Sequence, residues 1–352
     1  MRRYEEVGVK ERGIFVGIDL HRHQWHVTVI AVDEELLSRS IQGDWDSLRR
    51  LLSQYRGSGV SAAYEAGYFG YSLRDHLVRW GADCIVTPPS LLPIEYGNRV
   101  KTDRRDSRKL AFLLSKGMLK RVWVPSIEDR YHRQVFRRRC QLVRDRVRVQ
   151  NRIKSELRFH GTPLPYSTRR WSRQFVSNLW RLRFSDAYMQ ESFNRLLGEY
   201  EFLSSEIRHQ TALLKKLSQT EKYRDRVEIL CSIPGVGLLS AMEILLELGE
   251  IERFRRAEQL PAYVGLTPAQ YSSGDKVRMG RITGIGKSHL RGTLVEVAWV
   301  AINRNRVLRR KFDEIKRRSG SKRAIVAIAR RLVLCIRRML LDSTPYRLPE
   351  AA

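Results

Sequence analysis

Two short apolar runs each end in an acid, and this limits the folds open to the chain more than any other feature. Ile14-Phe15-Val16-Gly17-Ile18 runs into Asp19, and Val60-Ser61-Ala62-Ala63-Tyr64 runs into Glu65. Short runs of this composition read as strands. Two more acids follow in Lys101-Thr102-Asp103-Arg104-Arg105-Asp106. Asp103 and Asp106 are three residues apart and so share one helix face. The chain carries 66 Lys and Arg against 38 Asp and Glu, a net charge of +28. In so basic a protein, two acids at strand ends and two on a helical turn stand out from ordinary surface charge. Mg2+, or Mn2+ in its place, takes oxygen ligands from a few carboxylates and completes its shell with phosphates and water. The set Asp19, Glu65, Asp103 and Asp106 therefore suits phosphodiester chemistry on nucleic acid.

The spacing predicts three strands first, Ile14–Leu20, Trp25–Val32 and Leu36–Ile41, the last reached through Asp33-Glu34-Glu35. Asp46–Tyr55 has helical spacing, Val60–Glu65 is a strand, Tyr71–Trp80 a helix and Ala82–Val86 a short strand before Pro88-Pro89. A three-strand meander followed by alternating helix and strand is the order of an RNase H-like mixed sheet, in which acids gather at strand ends. A helix capped by Thr102 brings Asp103 and Asp106 to the same cluster.

Ile127 to about Phe159 reads as one long basic helix closed by Gly161 and Pro163. Arg169–Phe184 is polar, aromatic and unassigned. Phe193, Leu196, Tyr200, Leu203, Ile207, Gln210, Leu214 and Leu217 step by three and four, the heptad spacing of a coiled coil. An intramolecular helical hairpin has the same seam; we expect it to join protomers, with Gln210 setting register. Helical runs Val227–Cys231 and Leu239–Leu248 flank Ile233-Pro234-Gly235-Val236-Gly237. That is a helix-hairpin-helix-like turn, whose glycines would let backbone N–H groups reach a DNA phosphate. A tight helix–helix turn is the plainer alternative. The expected class is α/β followed by α, in three parts: 1–122, 123–225 and 226–352.

Charge is distributed unevenly. Residues 1–100 hold 12 Lys and Arg and 13 Asp and Glu, whereas residues 120–184 hold 18 against 4. A polyanionic partner follows, because neutralising phosphates releases condensed counterions. The first block reads as catalytic, the second as an element that grips nucleic acid. Cys84, Cys140, Cys231 and Cys335 are scattered, with no C-x-x-C, so neither a zinc ribbon nor a disulfide framework is indicated. A reducing, cytoplasmic setting fits. The N-terminus has no apolar signal core, and Ala324 to Leu340 is interrupted by four arginines, so no membrane role is expected. His21, His23 and His26 lie close to Asp19, but no further convergent ligand is evident in the sequence for a zinc site. Trp171 and Trp180, in the basic stretch, are candidates for base stacking.

A second constellation follows Tyr263-Val264-Gly265-Leu266-Thr267-Pro268. It is Tyr271-Ser272-Ser273-Gly274-Asp275-Lys276, followed by Arg278, Arg281, Gly284, Gly286, Lys287 and Arg291. A serine beside glycine offers an accessible hydroxyl, and the cations could stabilise a charged transition state. No general base stands beside it, which a serine nucleophile needs unless a metal polarises its target.

Gly17-Ile18-Asp19, Tyr64-Glu65-Ala66, Lys101 to Asp106, Ile233 to Gly237, and the block from Gly265 to Gly274 occur in the order found in a known family. From about residue 13 to about residue 340 the chain resembles the DEDD-type transposases of insertion-sequence family 110, which also resemble the Piv-type DNA invertases. The stretch between Arg158 and Asp186 is longer than the usual pattern of that family.

The resemblance implies a RuvC-like N-terminal domain, a coiled-coil connector and a C-terminal transposase domain. It implies that Asp19, Glu65, Asp103 and Asp106 hold divalent metal, and that Ser273 attacks DNA to form a phosphoserine linkage. It also implies a structured non-coding guide RNA that pairs with donor and target DNA. The protein would be a bacterial, nucleoid-associated homo-oligomer, a dimer or a synapsed tetramer. Ser273 is more than 160 positions from Asp106, so domain docking, within or between protomers, would have to assemble the site. Two other readings stand beside it: a RuvC-like junction endonuclease that activates water, and a non-catalytic nucleic-acid-binding protein.

Overall fold

The computed structural model describes residues 13–93, 102–163, 171–271 and 278–347. The chain divides into two compact units, Met1–Val124 and Pro125–Ala352.

In the first unit β1 (Ile14–Leu20), β2 (Gln24–Ala31), β3 (Glu34–Gln42), β4 (Val60–Glu65) and β5 (Asp83–Thr87) form one sheet in the order β3-β2-β1-β4-β5. β1, β2 and β3 are an antiparallel meander; β4 is parallel to β1, and β5 to β4. Helices α1 (Trp45–Leu52) and α2 (Ser72–Trp80) precede β4 and β5, as parallel pairing requires crossovers. Strand alternation sorts side chains between the two faces. Ile14, Val16, Ile18, Val27, Val29 and Tyr64 are buried in one core with Leu48, Leu52, Leu73 and Leu77 of α1 and α2.

Gly17, one step out of phase with that core, receives α3 (Asp103–Ser115). The helix comes so near that a Cβ on Gly17 would stand 1.9 Å from the Ser107 carbonyl oxygen and 2.5 Å from the Ala111 amide nitrogen. Buried Thr28 and Ser107 share a 2.8 Å hydrogen bond across the same junction. Arg104 and Arg108 pair with Glu35, and Lys116 with Asp33. Such exposed pairs contribute roughly 0–1 kcal/mol each, so they orient α3 while the glycine contact and its apolar face hold it.

The second unit comprises α4 (Ile127–Phe159), α5 (Arg173–Arg181), α6 (Ala187–Ser218), α7 (Arg224–Cys231), α8 (Leu238–Leu248) and α9 (Gln259–Val264), then strands β6 (Pro268–Gln270) and β7 (Met279–Ile282), then α10 (Ser288–Arg304), α11 (Arg306–Ser319) and α12 (Ser321–Asp342). α4 and α6 pack as a helical hairpin. Leu142, Val149, Ile153 and Leu157 of α4 are buried with Phe193, Leu197, Tyr200, Leu203 and Ile207 of α6. The heptad seam is thus covered within the chain by α4, which departs from the expected joining of protomers. Leu197 is fully buried where Leu196 was expected, and Gln210 is only partly buried. α5 falls in the stretch left unassigned and adds Phe175 and Leu179 to this core. The Trp171 ring lies 4.8 Å from that of Tyr200, and Trp180 Nε1 donates to Glu201 at 2.9 Å. Both tryptophans therefore pack on α6 instead of standing free to stack on bases.

α8 is apolar on nearly every side and forms a second core with α10 and α12. Its Glu247 accepts two hydrogen bonds from Arg137, at 2.8 and 3.0 Å, and pairs with Lys287 at 3.3 Å. Burial alone would raise the Glu247 carboxyl; Arg137, Lys287 and Arg133 outweigh it and hold the pKa below the usual range. A turn joins α7 to α8, and Gly235 serves the fold there. Its φ is +95°, and a Cβ there would lie 2.7 Å from that of Val300 on α10. Gly237, the N-cap of α8, faces open space. Among the described residues no helix is long and apolar enough to cross a membrane.

Candidate metal centre

Parallel pairing sets Ile18 against Tyr64. The next residues, Asp19 and Glu65, therefore follow side by side at the carboxyl ends of adjacent strands. α3 starts at the same place. The Thr102 side chain accepts from the Arg105 amide at 3.4 Å, and Asp103 and Asp106 occupy the first turn. Negative charge there is favoured by the helix dipole. The docking of α3 on Gly17, two residues before Asp19, carries that turn to the strand ends.

His21 enters from the β1–β2 turn, where its amide donates to the Gln24 carbonyl at 3.2 Å. Its Nε2 lies 3.3 Å from Asp19 Oδ2 and 3.4 Å from Asp103 Oδ1. One ligand atom from each of Asp19, His21 and Asp103 lies within 4.8 Å of the other two. Burial raises the Asp19 carboxyl above its usual pKa; Asp103 and Asp106 push the same way and His21 opposes them. Oxygen donors crowded like this are what a hard divalent cation neutralises, so the residues fit such an ion. His21 is a residue that sequence reasoning set aside. Its only signal was its place two residues after Asp19. His26, opposite Asp19 on β2, is committed elsewhere: Nδ1 meets Ser40 Oγ at 3.0 Å and Nε2 meets Ser38 Oγ at 3.1 Å.

Ser272 and Ser273 lie outside the described residues. On either side of them β6 and β7 pair antiparallel, and the Tyr271 amide donates to the Arg278 carbonyl at 2.8 Å. Two of the glycines nearby are structural. A Cβ on Gly265 would lie 2.2 Å from the Ile285 carbonyl oxygen, and one on Gly286 would lie 2.4 Å from that of Tyr263. Two backbone segments cross there in contact. Among the cations singled out in this block, Lys287 pairs with Glu247 and Arg291 donates to the Val264 carbonyl. Arg278 and Arg281 are exposed.

Comparison with known proteins decides the family. Residues 227–313 match the family described as Transposase IS116/IS110/IS902. Residues 16–161 match a transposase family defined for the DEDD group of IS110. The chain belongs to the IS110 family of transposases. It is 29% identical over 340 residues to the putative transposase y4qE of Sinorhizobium fredii, covering 94% of this chain and 82% of that protein. It is 28% identical over 275 residues to the transposase for insertion sequence element IS1111A of Coxiella burnetii, covering 75% and 72%. It is 26% identical over 253 residues to the transposase for IS1533 of Leptospira borgpetersenii, covering 69% and 71%. As a transposase of an insertion element, the protein cuts DNA, and DNA is its substrate. The first matched segment spans the sheet, α3 and α4, and includes all four candidate carboxylates.

Proposed function

We propose that this transposase cuts and rejoins DNA through Ser273, with a divalent cation held by Asp19, Glu65, Asp103 and Asp106. We propose too that a structured non-coding RNA directs it to donor and target DNA. One observation carries the reading: Asp19 of β1 and Asp103 of α3, from elements far apart in sequence, meet at the carboxyl end of the central strand. The strand order, antiparallel across the first three strands and parallel across the last three, supports an RNase H-like, RuvC-like fold. The basic α4 and its hairpin with α6 would serve as the connector that grips nucleic acid.

The cation, Mg2+ or Mn2+, supplies positive charge against a scissile phosphate that the carboxylates alone would repel. The carboxylates would hold that charge at a fixed place beside the carboxyl end of β1. The Ser273 hydroxyl attacks phosphorus, so an Oγ–P bond forms and the bond from phosphorus to one deoxyribose oxygen breaks. The proton lost by the serine ends on the departing oxygen, which leaves as a hydroxyl. The phosphoserine ester retains the energy of the broken link, and a deoxyribose hydroxyl can reverse the step to rejoin a strand. Water in place of serine would leave the strand cut.

Ser273→Ala should remove both cleavage and any covalent protein–DNA product, while Ser272→Ala should retain part of each. Ser273 precedes Gly274, which has no side chain to hinder an approaching DNA backbone. Undiminished cleavage by Ser273→Ala would favour attack by water. The purified protein should also carry a discrete RNA whose binding weakens steeply with salt. Sequencing that returned only random fragments would count against RNA guidance.

A further inference from the structure

We propose that His21 is a nitrogen ligand of the metal centre, which makes the centre selective for Mn2+ over Mg2+. The inference rests on the metal reading above and adds a donor of a different kind. Three elements supply the cluster: Asp19 comes from β1, His21 from the β1–β2 turn and Asp103 from α3. A six-coordinate ion with bonds of about 2.1 Å places neighbouring donor atoms about 3 Å apart. The separations of 3.3 and 3.4 Å from His21 Nε2 to the two carboxylates need to change by only a few tenths of an ångström.

An ordinary ion pair is the competing explanation, and the arrangement suits it poorly. A single imidazolium N–H donates well to one acceptor, yet here one nitrogen faces two carboxylates from separate elements. The histidine is not placed by these contacts alone, because the Gln24 carbonyl holds its backbone in the turn. It is also the suitable histidine. His26 has both ring nitrogens against serine hydroxyls. His21 Nδ1 has no protein partner among the described residues, and the side chain is 56% exposed. A ligating imidazole can donate its second N–H to water.

Selectivity follows from ligand chemistry. Mg2+ prefers an all-oxygen shell. Imidazole nitrogen favours transition metals and raises the affinity for Mn2+ relative to Mg2+.

The test uses the full-length protein loaded with Mn2+ and pulsed electron paramagnetic resonance, which detects coupling to a directly bound 14N nucleus. Wild type should show one imidazole nitrogen coupling. His21→Ala should lose it and bind Mn2+ at least about tenfold more weakly, with Mg2+ affinity, read by competition, little changed. His21 is exposed, so the variant should fold, and circular dichroism checks that it does. His23→Ala should keep the coupling. Mn2+ bound in an Asp19-dependent manner with no nitrogen coupling would overturn the assignment of His21 and leave the carboxylate centre standing. A coupling that survives His21→Ala would also overturn it. Unchanged Mn2+ binding by Asp19→Asn would remove the carboxylate centre, and His21 with it.

Discussion

Asp19→Asn is expected to slow DNA cleavage by at least about a thousandfold, because a charged metal ligand contributes several kcal/mol to the transition state. Nucleic-acid affinity should remain within a few-fold of wild type. The substitution keeps the side chain's volume and removes its charge at a strand end where burial and two neighbouring carboxylates already oppose ionisation. That opposition gives the prediction a second readout. A carboxyl whose pKa is raised in the folded state favours folding when protonated, and this contribution is lost as pH rises through the folded value. Near neutral pH the ionised Asp19 therefore costs stability in the metal-free protein. Asp19→Asn should then melt no lower than wild type in chelator, although it is inactive. A variant that lost activity by unfolding would melt earlier. Asp106→Asn should behave alike in cleavage.

Gly17→Ala should be nearly as damaging to activity with all four carboxylates intact. The added methyl would fall 1.9 Å from a backbone oxygen and 2.5 Å from a backbone nitrogen of α3. Neither atom can swing aside as a side-chain end would, so the whole helix must move away. Overpacking of this kind costs about 3 kcal/mol. The displaced helix takes Asp103 and Asp106 from Asp19, so tight Mn2+ binding should be lost together with cleavage. Urea unfolding measures the first effect and metal titration the second. Wild-type stability and metal affinity in Gly17→Ala would show that close docking of α3 is not what builds the centre.

Much of the fold was legible where local pattern and tertiary role agree. Ile14–Leu20, Val60–Glu65 and Ile127–Phe159 begin and end where the sequence places them, and Thr102 caps α3 as its position suggests. The α6 seam was legible as a buried stripe but not as to its partner. Heptad spacing records that a face is covered, whereas the covering helix, α4, is set by tertiary packing. α5 escaped because nine residues with mixed aromatic and basic character give little periodicity. His21 escaped for a different reason: its contact with Asp103 spans most of the first unit and exists only because α3 sits on Gly17. The reason for Gly235 was likewise hidden, since Val300 is far along the chain. In each case the residue was visible and its neighbour was not.

The most direct measurement incubates the full-length protein, with its copurifying nucleic acid, Mn2+ and end-labelled DNA, then denatures the mixture and maps any adduct by mass spectrometry. A covalent complex whose phosphate lies on Ser273 is expected, absent from both Ser273→Ala and Asp19→Asn. Cut DNA with no protein attached, or a phosphate mapped to Ser272, would contradict this.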